Sequence, residues 1–271
     1  MTAFVARLGT RALAPPEAYS SWGIADYLAA AVPGEADNSR LEELRTRLRG
    51  QRRTDPERVL ALLAALAGAP MAEVNLARVA REAGIPVTTL PPYVDLLVDL
   101  GLIRLLPGAT SSVAKRAVAR PRVVLADPGL AYRLSGIARA ELLEVSGRRR
   151  LRPLLLNLVV NQLIDQAGDS SVPYRLSHLR ERNGLHVDLL IELDDESLYA
   201  VEARTASSFR PHQFRSLEAL AARAGARLRA GIVLHTAPRG HVFRPGMWAL
   251  PLSVLWGSDH SVDLAGGPRR K

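Results

Sequence analysis

The sequence predicts a mixed α/β protein: a helical N-terminal segment, a winged helix–turn–helix, and a C-terminal α/β domain built around a mixed sheet. Three observations carry this. Residues 55–106 hold three helix-like runs followed by a strand-like run. Residues 151–256 read helix, three strands, helix, strand, the order of a three-layer α/β domain. Hydrophobic residues make up 48% of the 271, enough for real cores, while the absence of cysteine rules out disulfides and thiolate metal sites.

The elements are taken in chain order. Residues 1–54 are polar and Ala-rich. "PPEAYSSWGIADYLAAAV" predicts a helix over 16–32. "SRLEELRTRLRG" (39–50) predicts a second, with a Ser cap, Leu41, Leu44 and Leu48 at helical spacing, and Gly50 as the stop. This segment is too small for a core of its own and is expected to pack on the units C-terminal to it. Residues 55–145 form the next unit. "DPERVLALLAALAG" begins with Asp55 as N-cap and Pro56 in the first turn, "NLARVAREAG" ends at Gly84, and "IPVTTLPPYVDLLVDLGL" gives the third helix. "LIRLLPG" and the returning "RVVLAD" are the strands of the wing, and "PGLAYRLSG" is a short helix. "VSGRRR" (145–150) is the expected linker. In the third unit, residues 151–256, Leu151–Gly168 is a helix apolar nearly all round and therefore buried. Strands are expected over 174–180, 185–193 and 197–204, a helix over 207–225, a buried strand over 228–237, and "MWALPLSVLW" closes the domain. Residues 257–271 read as a flexible basic tail.

Composition narrows the function classes. The formal net charge is +9, and Lys115 and Lys271 are the only lysines, so nearly all the basic residues are arginine. Such a surface suits a polyanion, DNA first of all. "GRRRLR" (147–152) supplies Arg148, Arg149, Arg150 and Arg152 as candidate phosphate contacts, though such a run also suits a solvated linker. On the third helix of the winged unit, the first turns would face a major groove. There Pro91 and Pro92 offer no donors, leaving Thr88, Thr89 and Tyr93 as polar candidates, so base-specific readout is expected to be weak. Aromatic residues are 5% of the chain, too few for a base-stacking platform. The six histidines form no HxxxH or HExxH, and no GxSxG elbow occurs. No apolar run approaches the roughly 18 residues of a membrane helix, so a cytoplasmic protein without membrane contact is expected.

One constellation points to chemistry. "HVDLLIELDDESLYAVEAR" places Asp188 near the start of one strand and Glu202-Ala203-Arg204 at the end of the next. Metal-dependent phosphodiester cleavage needs acidic ligands for Mg²⁺ and a group that positions the attacking water. An Asp on one strand and Glu-x-Lys on its neighbour provide these, because alternate strand residues share a face. Asp188 and Glu202 would be the metal ligands and Arg204 would stand at the Lys position. The same residues also describe a plain ion pair between Glu202 and Arg204.

From about residue 55 to 256 the chain resembles the C-terminal half of a bacterial and archaeal family of AAA-type ATP-binding proteins. The resemblance runs through "LARVAREAGIPVTTLPPYVDLLVDLGLIRLLPG", "KRAVARPRVVLADPGLAYRLSGI", "LLLNLVVNQLIDQAG", "YRLSHLRERNGLHVDLLIEL", "LYAVEARTASSFRPHQFRSLEAL", "RAGIVLHT" and "WALPLSVLW". Those proteins combine a P-loop head, a winged helix and a PD-(D/E)xK restriction-endonuclease-like domain of unknown function. No GxxxxGK[ST] occurs here, so the resemblance implies no ATP hydrolysis by this chain itself. On the helix that opens the nuclease-like domain, Leu156 stands where the family has Glu, and Gln162 stands for a second Glu. Arg204 replaces Lys and stays protonated, so it cannot act as a neutral base. The resemblance therefore implies a catalytically degenerate nuclease-like protein, needing no cofactor, that binds DNA or a protein partner. The alternatives are an active Mg²⁺-dependent deoxyribonuclease using Asp188, Glu202 and Arg204, with Glu192 or Glu181 as a third carboxylate, and a regulatory subunit of a separate ATPase.

Overall fold

The computed structural model describes residues 3–8, 13, 18–32, 38–49, 55–73, 75–109, 120–144, 147–182, 184–205 and 210–256. It is a mixed α/β protein with a six-stranded mixed sheet and a separate two-stranded one. The expected basic tail (257–271) and residues 110–119 lie outside the described residues.

The winged unit forms where its caps predict. Helices α1 (Phe4–Arg7) and α2 (Ile24–Ala31) come first, then α3 (Asn38–Arg49), which brings Leu44 and Leu48 to the unit. Helix α4 (Pro56–Ala67) starts at Asp55, whose side chain accepts the Glu57 amide, with Pro56 in the first turn. Helix α5 (Leu76–Ala83) is capped by Asn75 and ends at Gly84, which adopts a left-handed φ of 65° open to Gly without strain. A short 3₁₀ turn over Val87–Thr89 leads into α6 (Leu90–Asp99). Strands β1 (Ile103–Leu106) and β2 (Arg122–Leu125) pair antiparallel, with Ile103 opposite Leu125. Residues 71–73 add a third, shorter rung: Met71 N–H donates to Val123 O at 2.9 Å, and Glu73 bridges to Arg122. Helix α7 (Pro128–Ser135) begins at Asp127 and packs on α4. A short helix α8 (Arg139–Leu143), not expected from the sequence, comes next.

The expected linker is largely helix. Helix α9 (Arg148–Ala167) begins three residues before Leu151, so Arg148–Arg150 are its first turn. It is apolar all round because it has partners all round: α2 on one side, β2 on another, and the sheet on a third. Two of its polar residues, Asn157 and Asn161, tie it to the wing. Asn157 Oδ1 accepts the Leu125 amide at 2.7 Å, and its Nδ2 donates to the Leu125 carbonyl at 3.0 Å. Asn161 donates to that same carbonyl at 2.7 Å and accepts from Arg104 at 2.8 Å.

The large sheet has the order β3 (Tyr174–Arg180), β4 (His186–Leu193), β5 (Leu198–Arg204), β6 (Leu228–His235), β8 (Met247–Pro251), β7 (His241–Arg244). The first three are antiparallel, β5, β6 and β8 are parallel, and β7 is an antiparallel edge not expected from the sequence. Helix α10 (Arg215–Ala224) covers one face with Leu217, Leu220 and the preceding Phe214, while α9 covers the other. The predicted start of α10 at 207 falls partly outside the described residues, and its first described turn, Pro211–Phe214, is 3₁₀. The N-terminal residues divide between two cores. α1, α2 and Trp22 pack with α9 and Trp256, the two indoles 5.0 Å apart, whereas α3 packs with the winged unit.

The wing also closes the β3 edge. His178 N–H donates to Pro107 O at 3.0 Å and Ala109 N–H to His178 O at 2.8 Å, so the chain leaving β1 runs parallel beside β3. That shields an otherwise unpaired strand edge and fixes the winged unit against the sheet.

Candidate functional site

Two local features set Asp188. The β3–β4 ladder pairs Leu179 with Val187 but Ser177 with Leu190, so β4 carries one extra residue between them, a β-bulge. The β4–β5 ladder ends at Leu189 opposite Val201, which brings Asp188 level with Glu202. Past that point the Ala203 amide donates to Asp188 Oδ2 at 3.2 Å. Glu202 and Arg204 alternate with Ala203 and share the face of Leu198 and Ala200, the face of α10.

The hairpin thus brings the two carboxylates together, and arginines hold both. Arg152, one turn into α9, donates to Asp188 Oδ2 at 2.6 Å and through Nε to the Ala203 carbonyl at 2.8 Å. Arg204 pairs with Glu202 Oε2 and comes within 3.9 Å of Asp188 Oδ2. Arg122 donates to the Asp188 carbonyl at 3.3 Å and lies 3.9 Å from Oδ1. Both carboxylates are buried. Burial pushes the Glu202 carboxyl above the usual range, the Arg204 guanidinium pulls it down, and Asp188 adds to the rise. Glu202 Oε1 has no hydrogen-bond partner among the described residues.

The donor set does not fit a divalent cation. Three guanidiniums surround two carboxylates, and Asp188 Oδ2 is already shared by Arg152 and a backbone amide. A hard cation such as Mg²⁺ wants several oxygens free of competing positive charge. Among the described residues no group of three or more His, Asp or Glu is placed to hold a metal. The two residues considered as a third carboxylate are engaged elsewhere. Glu181 makes a bidentate pair with Arg223, its second bond 3.1 Å. Glu192 lies four residues along β4 from Asp188, roughly 13 Å at strand rise, and accepts from Ser177 at 3.4 Å. Leu156, on α9, is buried in the core.

The candidate nucleic-acid residues scatter. Thr88 and Thr89 are exposed on the 3₁₀ turn before α6, and Thr89 Oγ1 donates to the Pro86 carbonyl at 3.0 Å. Tyr93 is half-buried against the core of the winged unit. The side chains of Arg148 and Arg149 lie outside the described set. Arg150 is exposed, 3.8 Å from Glu141, and Arg152 points inward to Asp188.

Sequence reasoning missed a basic cleft. Between the winged unit and the β3–β4 turn lies a depression of about 590 Å³ lined by Arg122, Arg180, Glu181, Arg182, Gly184 and His186. A second, of about 400 Å³, adjoins it through Arg122 and Arg180 and adds Arg120, Glu73 and Asn75. The available signal was Arg122 itself, a charged residue opening the apolar run "RVVL". The inward role of Arg152 was signalled by its position four residues before Leu156, on the same helical face.

Residues 153–255 match the family model described as a domain of unknown function (DUF4143). Residues 45–141 match another, also described as a domain of unknown function (DUF8612). No curated protein and no solved structure matches the chain. The two matches fall on the sheet domain with α9 and on the winged unit. Among the described residues no helix is long and apolar enough to cross a membrane.

Proposed function

We propose that this chain is a catalytically degenerate, nuclease-like DNA-binding protein of the cytoplasm. It would contact DNA mainly through arginine-rich surface, with little sequence readout. The observation that carries the reading is the arginine clamp: guanidiniums of Arg152 and Arg204 sit on the two carboxylates that a nuclease centre would use for metal. Arginine stays charged at any working pH, so the pairing persists. The DNA half of the reading rests on the net charge of +9 and on the basic cleft. The prolines at the start of α6 support weak readout.

The match over 153–255 supports the resemblance to the C-terminal half of AAA-type ATP-binding proteins. It keeps a second reading in view, a regulatory subunit of a separate ATPase. Purified protein incubated with plasmid and Mg²⁺ or Mn²⁺, beside Glu202→Ala, tests the first half: cleavage that the substitution abolishes would overturn it. Fluorescence anisotropy with a labelled duplex tests the second. Backbone binding is measurable at low salt and weakens steeply as salt rises. Absence of binding at low salt would favour the ATPase-partner reading, which capture from native lysate would then test.

A further inference from the structure

We infer that the cleft between the winged unit and the β3–β4 turn is the phosphate grip of this protein, taking the sugar–phosphate backbone of DNA. The inference rests on the DNA-binding reading above and adds where the backbone lies. It moves the contact surface away from α6 and from the arginine run at the start of α9.

Four guanidiniums converge on the cleft: Arg120, Arg122, Arg180 and Arg182. The carboxylates nearby are largely spoken for. Glu181 is held by Arg223 from the α10 side, and Asp188 by Arg152 from α9. Glu73 faces the cleft group, paired with Arg180 at 3.1 Å. The result is a concave surface with several positive charges in excess, walled by folded protein, where field lines concentrate.

The cleft is also held in shape. Arg122 is buried and bonded to the Asp188 carbonyl, so its guanidinium is fixed before any ligand arrives. Arg120 is positioned through its backbone: His178, fully buried, donates Nε2–H to the Arg120 carbonyl at 2.9 Å. That bond sets the His178 tautomer. Burial and the nearby Arg122 lower the His178 pKa, which keeps the imidazole neutral. Arg180 and Arg182 stand at the mouth, exposed, on the end of β3 and the turn after it. A fixed arginine at the base and exposed arginines at the rim suit phosphate, which guanidinium binds in a fork. Neither cleft is lined by Phe, Tyr or Trp, so base stacking would contribute little.

The test compares two variants of equal charge change. Arg180→Glu/Arg182→Glu alters the rim of the cleft. Arg58→Glu/Arg215→Glu alters exposed arginines on α4 and at the start of α10, away from it. Binding of a short labelled duplex of arbitrary sequence is followed by anisotropy across a salt series, with thermal melts confirming that both variants fold. The cleft variant is expected to bind at least about tenfold more weakly than the control, and the slope of log K against log salt to fall by about 2, one per lost phosphate contact. A conservative second variant, Arg182→Ala, should reduce that slope by about 1. If wild type binds and the two double variants weaken equally, the cleft assignment is overturned while DNA binding stands. If wild type does not bind at low salt, both fall.

Discussion

Replacing Arg152 with Met isolates the central contact of the Asp188–Glu202 carboxylate cluster. Met keeps most of the packing of the arginine stem and removes the charge. Asp188 is 3% exposed and loses a 2.6 Å bond to Oδ2. Breaking one side of a fully buried ion pair costs about 3–5 kcal/mol. Here two things reduce that. The Arg152 side chain is 34% exposed, so solvent screens part of the pair. Asp188 also keeps the Ala203 amide at 3.2 Å and the guanidiniums of Arg122 and Arg204, each at 3.9 Å. The expected loss is about 2 kcal/mol, a fall in melting temperature of roughly 4–8 °C for a chain of this size. Urea denaturation at pH 7 measures it, and a double-mutant cycle with Asp188→Asn should give a coupling of about 1–2 kcal/mol. A single-mutant loss within about 0.5 kcal/mol, the range of ordinary surface changes, together with additivity in the cycle would refute the clamp.

Two further outcomes are expected. Asn157→Leu removes the acceptor of the Leu125 amide and leaves it buried without a partner, which should cost about 1–3 kcal/mol and speed hydrogen exchange at Leu125 more than within α4. Stability should also fall as pH drops from about 6.5 toward 4. Burial lowers His235 from 6.5 to about 4, so over that interval the unfolded chain takes up a proton that the folded one refuses, worth roughly 3 kcal/mol in all. His178, also lowered, acts in the same direction. Glu202, raised above 4.5, acts oppositely, because the folded chain takes its proton first as pH falls, and so offsets part of the loss near the acid end. A urea midpoint that does not change between pH 6.5 and 4, or one whose drop His235→Gln leaves intact, would contradict this.

What was legible in the sequence was what local chemistry dictates. Asp55, Asn75 and Gly84 mark helix ends because caps satisfy backbone groups within one turn. The apolar α9 reads as buried from its composition alone. The facing of Asp188 and Glu202 was readable from the short hairpin between them. Less legible was whatever depends on partners distant in sequence. Edge strand β7 is short and polar, with only Val242 and Phe243 as apolar residues, and pairing with β8 makes it a strand. The bulge beside Asp188 leaves no periodic trace, since one extra residue looks like a plain strand. Arg152 sits in a run of arginines that reads as solvated, and only the docking of α9 against β5 turns it inward. The cleft joins residues near 72, 121 and 182, which no motif of fixed spacing connects.

On the proposed reading of a degenerate nuclease-like centre, the inward placement of Arg152 changes which substitution would disable it. By sequence, Leu156 is the conspicuous loss, because it stands where the resembling family has a carboxylate. In the fold, Arg152 lies one helical turn before Leu156, about 6 Å along the same face, and already holds Asp188. Restoring Leu156→Glu and Arg204→Lys would therefore leave a guanidinium on the first ligand, and the new carboxylate would pair with Arg152 before it could meet a metal. Adding Arg152→Ser removes the competitor and opens Asp188. The double variant should show no Mn²⁺ binding by electron paramagnetic resonance titration beyond wild type, and the triple variant should show saturable binding. Glu at a position 3% exposed will cost stability, so both variants are compared below their melting temperatures and at matched folded fraction. If the double variant binds Mn²⁺ as tightly as the triple, Arg152 is a bystander, and on the proposed reading Leu156 and Arg204 alone would keep a metal out.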